Sequence, residues 1–184
     1  MKYQMVYPPP EKILWCFGEY QTLFSSLSKS DPDIEFIEGF PPDIDQKIDG
    51  RSRILLVIDD MMSELSDNIR LSNLFSKGSH HRNISIIFIQ QNIFYCGKQS
   101  RNLRLNSHYL VLFKSPCDRQ QISTLSRQMY PGGEGKFFIE AYNDATKEAF
   151  TYLFLDLKPE TDDRLRVRAN IFPGETNFVY VKKI

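Results

Sequence analysis

The stretch Ile54-Leu55-Leu56-Val57-Ile58-Asp59-Asp60 runs five apolar residues straight into two carboxylates. An unbroken apolar run of this length reads as a strand buried on both faces, which implies a parallel sheet covered by helices. Carboxylates at the C-terminal end of such a strand stand where open α/β sheets bind ligands. In a phosphate-handling site, the first holds Mg²⁺ and the second aligns or deprotonates a water. An acidic residue after an apolar strand also serves simply to cap the next helix, and for Asp60 that reading stands beside the chemical one.

A second apolar run, Ile84-Ser85-Ile86-Ile87-Phe88-Ile89, ends in Gln90-Gln91-Asn92. Amides donate and accept at once, so an amide at a strand end can hold a water and sense a γ-phosphate. An acidic strand end, a helix, then an amide strand end is the order of a Walker B element followed by a sensor strand. That order tips the balance toward the chemical reading.

The chain has 184 residues, enough for one domain with a real core. It is 41% hydrophobic and 25% charged, with a formal net charge of zero, so global charge points neither to nucleic acid nor away from a local basic patch. Cys16, Cys96 and Cys117 are scattered and show no CxxC spacing. Neither a zinc site nor a disulfide framework is expected, and a reducing, intracellular compartment fits best. No segment approaches the roughly 18 apolar residues of a membrane span. Pro8-Pro9-Pro10 stands where a signal peptide would carry its apolar core. No internal repeat or low-complexity tract is present.

Strands are expected at 13–17, 34–37, 53–58, 84–89, 109–113, 152–157 and 178–181. Helices are expected at 18–27, 66–76, from Pro116 to Met129 and over 136–149. Asp118 with Gln121 forms a capping box, and Pro131-Gly132-Gly133 ends the helix it opens. Residues 43–49 read as a surface connection and 92–105 as a loop or short helix. Strand and helix alternate through the middle, which argues a three-layer α/β fold.

Several strings occur in an informative order: Trp15-Cys16-Phe17-Gly18-Glu19, the Asp59-Asp60 strand end, Gly78-Ser79-His80-His81-Arg82-Asn83 and Gln91-Asn92. Leu105-Asn106-Ser107-His108-Tyr109, Phe113-Lys114 and Arg127-Gln128-Met129-Tyr130-Pro131 follow. Together they resemble the DNA-packaging ATPases of large DNA viruses and of Maverick/Polinton-type mobile elements, within the FtsK–HerA group of ring translocases. The resemblance covers residues 5–135 and, more loosely, the tail. It implies a three-layer P-loop NTPase-like fold of RecA/ASCE type with a mostly parallel sheet. One domain would span 1–184, with a core over about 5–157 and a C-terminal extension over about 158–184. The activity implied is ATP-driven translocation of double-stranded DNA into a capsid by a homo-oligomeric ring, with ATP and Mg²⁺ as cofactors and capsid or portal components as partners.

The family also implies a Walker A loop, GxxxxGK[ST], ahead of Pro8-Pro9-Pro10, and this sequence has none. Gly132-Gly133-Glu134-Gly135-Lys136 is its nearest imitation, but it follows a helix. Without that loop the phosphates lose their cradle of N–H groups and its Lys. The expectation is a chain that begins downstream of the P-loop strand and helix and is not an active ATPase alone. The alternatives are a non-catalytic interaction module that joins a full-length ring, and a complete enzyme whose first segment lies upstream.

By the resemblance, Asp59 binds Mg²⁺, Asp60 acts on the attacking water and Gln91 is the sensor amide, with Gln90 turned instead toward the helices. Arg82 or Arg101 serves as an arginine finger for a neighbouring subunit. Lys98, Arg101 and Arg104 contact DNA phosphates, with a solvated surface cluster as the plainer reading. His80 and His81 lack the partners of a metal site and read as a solvated loop. Phe137, Phe138 and Tyr142 read as core.

Overall fold

A computed structural model of the chain describes residues 6–48, 50–78 and 82–183, with the side chains of 77 and 78 left aside. The chain divides into two compact units, residues 1–106 and 107–184.

The first unit is built on β1 (Lys12–Phe17), β2 (Ile34–Glu38), β3 (Ile54–Asp59) and β4 (Ile84–Ile89). They form an all-parallel sheet in the order β2-β1-β3-β4. The unbroken apolar run of β3 sits centrally because only a strand covered on both faces buries residues at every position. Residues 54–58 are all buried. One face of the sheet carries Leu14, Cys16, Leu56, Ile58 and Ile84. These pack with residues of α2 (Ile44–Lys47), α3 (Met62–Leu65), α4 (Ile69–Asn73) and α5 (Ser100–Leu105). The opposite face carries Ile13, Trp15, Leu55 and Val57. There α1 (Thr22–Ser30) seats Phe24, its ring stacked on Phe36 at 4.8 Å and tilted against Phe17 at 4.8 Å. The fold class is α/β, with helices on both faces of a parallel sheet.

Two details depart from the sequence reading. The stretch 43–49 contains the short helix α2, and Ile44 and Ile48 are fully buried. Their four-residue spacing puts both on one helical face, so the acidic residues around them hide a core contact. β4 is covered on one face only. Ile84, Ile86 and Phe88 point into the large cluster, whereas Ile87 and Ile89 are 42% and 44% exposed.

The second unit pairs β5 (Tyr109–Phe113), β6 (Tyr152–Asp156), β7 (Val167–Ala169) and β8 (Phe178–Val179) in an antiparallel sheet, in that order. Its helices are α6 (Gln120–Met129) and α7 (Gly135–Ala145). The mostly parallel sheet therefore holds for the first unit, and strand 109–113 belongs to a separate antiparallel sheet. Nor is β5 buried on both faces: Tyr109, Val111 and Phe113 are exposed. β7 was hidden from the sequence reading by the charges of 162–168, although Val167-Arg168-Ala169 alternates as a half-buried strand should. Phe138 and Tyr142 lie in the core as expected, and Phe137 packs edge-on against Tyr130.

Gly132 to Lys136 links helix to helix, not strand to helix. A Cβ on Gly135 would lie 2.2 Å from Ser126 Oγ, which donates to the Gly135 carbonyl at 2.8 Å. This glycine lets α6 and α7 pack closely, which is a structural duty unrelated to phosphate.

Candidate functional site: the acidic and amide strand ends

β3 and β4 are parallel neighbours in register, with Asp59 opposite Ile89 and, on the other side, Phe17. Parallel pairing in phase brings the polar residues that follow each strand to the same edge of the sheet. Gln91 Nε2 donates to Asp60 Oδ1 at 3.2 Å, so the acidic end and the amide end meet in a direct hydrogen bond. Of the adjacent amides, Gln91 makes this contact.

The backbone at Asp60 is unusual. Its φ is +51°, in the left-handed region that non-glycine residues avoid. Such strain persists only where the surroundings impose it, and it clusters at functional sites. Here the end of β1 helps to impose it. Gly18 N–H donates to the Asp59 carbonyl at 3.3 Å, and a Cβ on Gly18 would come within 3.2 Å of the Asp60 carbonyl oxygen. Gly18 thus permits β1 to close on the strand end. Asp60 is exposed and Asp59 half-buried. Asp60 caps no helix: α3 begins two residues on, with no side-chain cap. The plain capping reading therefore fails.

Two carboxylates are hard oxygen donors that suit Mg²⁺, which keeps several waters and takes one or two carboxylates plus phosphate oxygens. Among the described residues, no group of three or more His, Cys, Asp or Glu could hold a metal ion. A water-rich Mg²⁺ on Asp59 fits this donor set, whereas a metal caged wholly by protein does not. Apart from the helix–helix link at Gly132–Lys136, no glycine-rich turn that could cradle a triphosphate is found among the described residues.

The remaining candidates spread along the first unit. Arg82 forms an ion pair with Asp45, which engages it within its own chain. His80 and His81 lie outside the described residues. Lys98, Arg101 and Arg104 follow a loop docked on α3's end. Gly97 meets Ser66 so closely that a Cβ would lie 2.5 Å from the Ser66 Cβ, and Lys98 N–H donates to Asp67 Oδ1 at 2.6 Å. Arg104 lies over the Phe94 ring at 4.5 Å. Burial and then the neighbouring Arg101 charge lower its pKa, so the two guanidiniums share one patch. Lys98 and Arg101 are exposed.

The sequence reading opened a helix at Gly18, whereas α1 begins at Thr22 and Gly18 lies in the turn after β1. The signal was available, since a glycine directly after an apolar strand marks a close backbone approach. No protein-family model matches the chain, and neither a curated protein nor a solved structure matches it. No helix among the described residues is long and apolar enough to cross a membrane.

Proposed function

We propose that this chain carries the Walker B and sensor portion of a DNA-packaging-type P-loop ATPase. The observation that carries the reading is the Asp60–Gln91 hydrogen bond at the shared edge of two parallel strands, with Asp60 held in a left-handed conformation. In this reading Asp59 holds Mg²⁺, which when bound would neutralise phosphate charge. Asp60 takes a proton from, or aligns, the attacking water, and Gln91 orients Asp60 and that water. The Arg101–Arg104 patch, with Lys98, suits a phosphate backbone. Arg101 is the better candidate for a finger acting on a neighbouring subunit, because Arg82 is tied to Asp45. A homo-oligomeric ring, double-stranded DNA, capsid or portal components and an intracellular setting complete the proposal by resemblance.

The test has two parts. Titration calorimetry on the chain alone should give ATP binding weaker than micromolar, since the described residues lack a phosphate cradle. Fusion to a strand–GxxxxGK[ST]–helix segment of a packaging ATPase should then yield Mg²⁺-dependent hydrolysis. That hydrolysis should fall by about 10²–10⁴-fold on Asp60→Asn, the range for loss of a general base. Hydrolysis by the fusion that is indifferent to Asp59, Asp60 and Gln91 would sink the assignment.

A second reading, a non-catalytic module that joins a full-length ring, is favoured by one observation. β4 ends the parallel sheet and leaves Ile87 and Ile89 uncovered, as an interaction surface would. Copurification with such a ring, without any change in its ATP turnover on Asp60→Asn, supports this reading over the first.

A further inference from the structure

The second unit contains a cavity of about 380 Å³ at the start of α6, remote in sequence from the acidic strand end. Lys114, Arg119 and Lys147 line it, and no Asp or Glu does. None of these three cations makes an ion pair among the described residues. Two carboxylates close in sequence hold other partners. Asp118 Oδ1 accepts from the Gln121 N–H at 3.3 Å, and Asp144 Oδ2 accepts from the Tyr180 hydroxyl at 2.8 Å.

The floor is held rigidly. The Tyr142 hydroxyl accepts from Ser115 N–H at 3.0 Å and donates to the Phe113 carbonyl at 2.9 Å, clamping the backbone on either side of Lys114. Thr146 Oγ1 donates to the Tyr142 carbonyl at 2.7 Å. Lys114 Nζ donates to the Lys147 main-chain carbonyl at 3.3 Å, which ties Lys114 to the turn that follows α7. Three cations in a lining that holds no Asp or Glu give the cavity a positive potential, which favours a bound anion.

A second, more apolar hollow adjoins this cavity, sharing Ser123 and Ile139 and continuing past Tyr130 and Pro131. A cationic end that opens into an apolar trough fits a ligand with an anionic head and an organic body. The volume lies within the ~300–1,000 Å³ range of small-molecule sites. We propose that this cavity binds a small phosphate-bearing organic anion, its phosphate held by Arg119, Lys147 and Lys114 and its body laid along the α6–α7 trough.

The test uses the whole chain in EDTA, so that divalent-metal binding at Asp59 is silent. Pyrophosphate, AMP and adenosine are titrated and followed by calorimetry or NMR shifts. AMP should bind with a Kd of about 1 mM or tighter. Pyrophosphate should compete with it, and adenosine should not bind. Arg119→Ala with Lys147→Ala should weaken AMP at least tenfold without changing Tm, because both side chains are exposed. Lys29→Ala, which removes one positive charge on α1, should leave binding unchanged. Binding equal in the double variant and the parent would overturn the proposal. So would an oligonucleotide that binds where AMP and pyrophosphate do not, since the face would then be a polynucleotide contact.

Discussion

Asp60 holds its left-handed backbone without the freedom of glycine, and this has a measurable signature. A left-handed non-glycine residue costs about 1–3 kcal/mol, so Asp60→Gly should unfold at a higher urea concentration than Asp60→Ala, by about 1 kcal/mol. Equal stability of the two variants would mean that the strain is absent. Cys16 offers a second residue-scale test. It is buried in β1, and burial, reinforced by the Glu35 charge, pushes its thiol up to about 11 from 9.0. Cys96 and Cys117 are exposed. A thiol reagent at pH 8 should therefore label those two promptly and Cys16 only on unfolding. Because the folded pKa is the higher one, the folded state favours the protonated thiol. Its contribution is intact below pH 9 and is lost between about pH 9 and 11. Cys16→Ala should flatten that alkaline decline in a series of urea titrations.

At the scale of elements, much of the first unit was readable and the reasons are plain. An apolar run with no polar interruption is rare outside covered strands, so β3 was legible at once, and the run of β4, broken only by Ser85, gave its parallel neighbour although one face of β4 is open. The meeting of Asp60 with Gln91 followed from that pairing. α2 did not, because the charged and polar residues around Ile44 and Ile48 masked a one-turn amphipathic face. β5 misled for another reason: Tyr109, Val111 and Phe113 look like core residues in sequence, and only the fold shows them exposed. The cationic cavity was illegible in principle, since Lys114, Arg119 and Lys147 are gathered by α6, α7 and the end of β5 and share no local pattern. In the second unit, β6 ends in a buried carboxylate. Asp156 receives Arg168 Nη2 at 3.1 Å and the Lys158 N–H at 3.2 Å. Asp156→Ala should cost about 2–3 kcal/mol, below the range for fully buried pairs because Arg168 is partly exposed. A loss under 0.5 kcal/mol in chemical denaturation would show that the pair contributes little.

For the molecule as a whole, the two sheets share a trait: each has an apolar strip left open to solvent, Ile87 with Ile89 on β4 and Tyr109, Val111 and Phe113 on β5. Both strands also stand at the end of their sheet. Unpaired strand edges flanked by apolar side chains template association. The isolated chain should therefore self-associate at micromolar concentration in size-exclusion chromatography with light scattering. Ile87→Lys with Ile89→Lys should shift it toward monomer with little loss of Tm. A parent chain that stays monomeric and unfolds in one sharp transition would instead mark a self-sufficient domain. The strips also bear on how much of the protein a cell can keep. Chaperones and proteases triage chains by the apolar surface they display. A chain whose strips are covered by a binding partner should outlive one whose strips are bare, so its steady-state abundance would follow the partner's dose with no dedicated regulator.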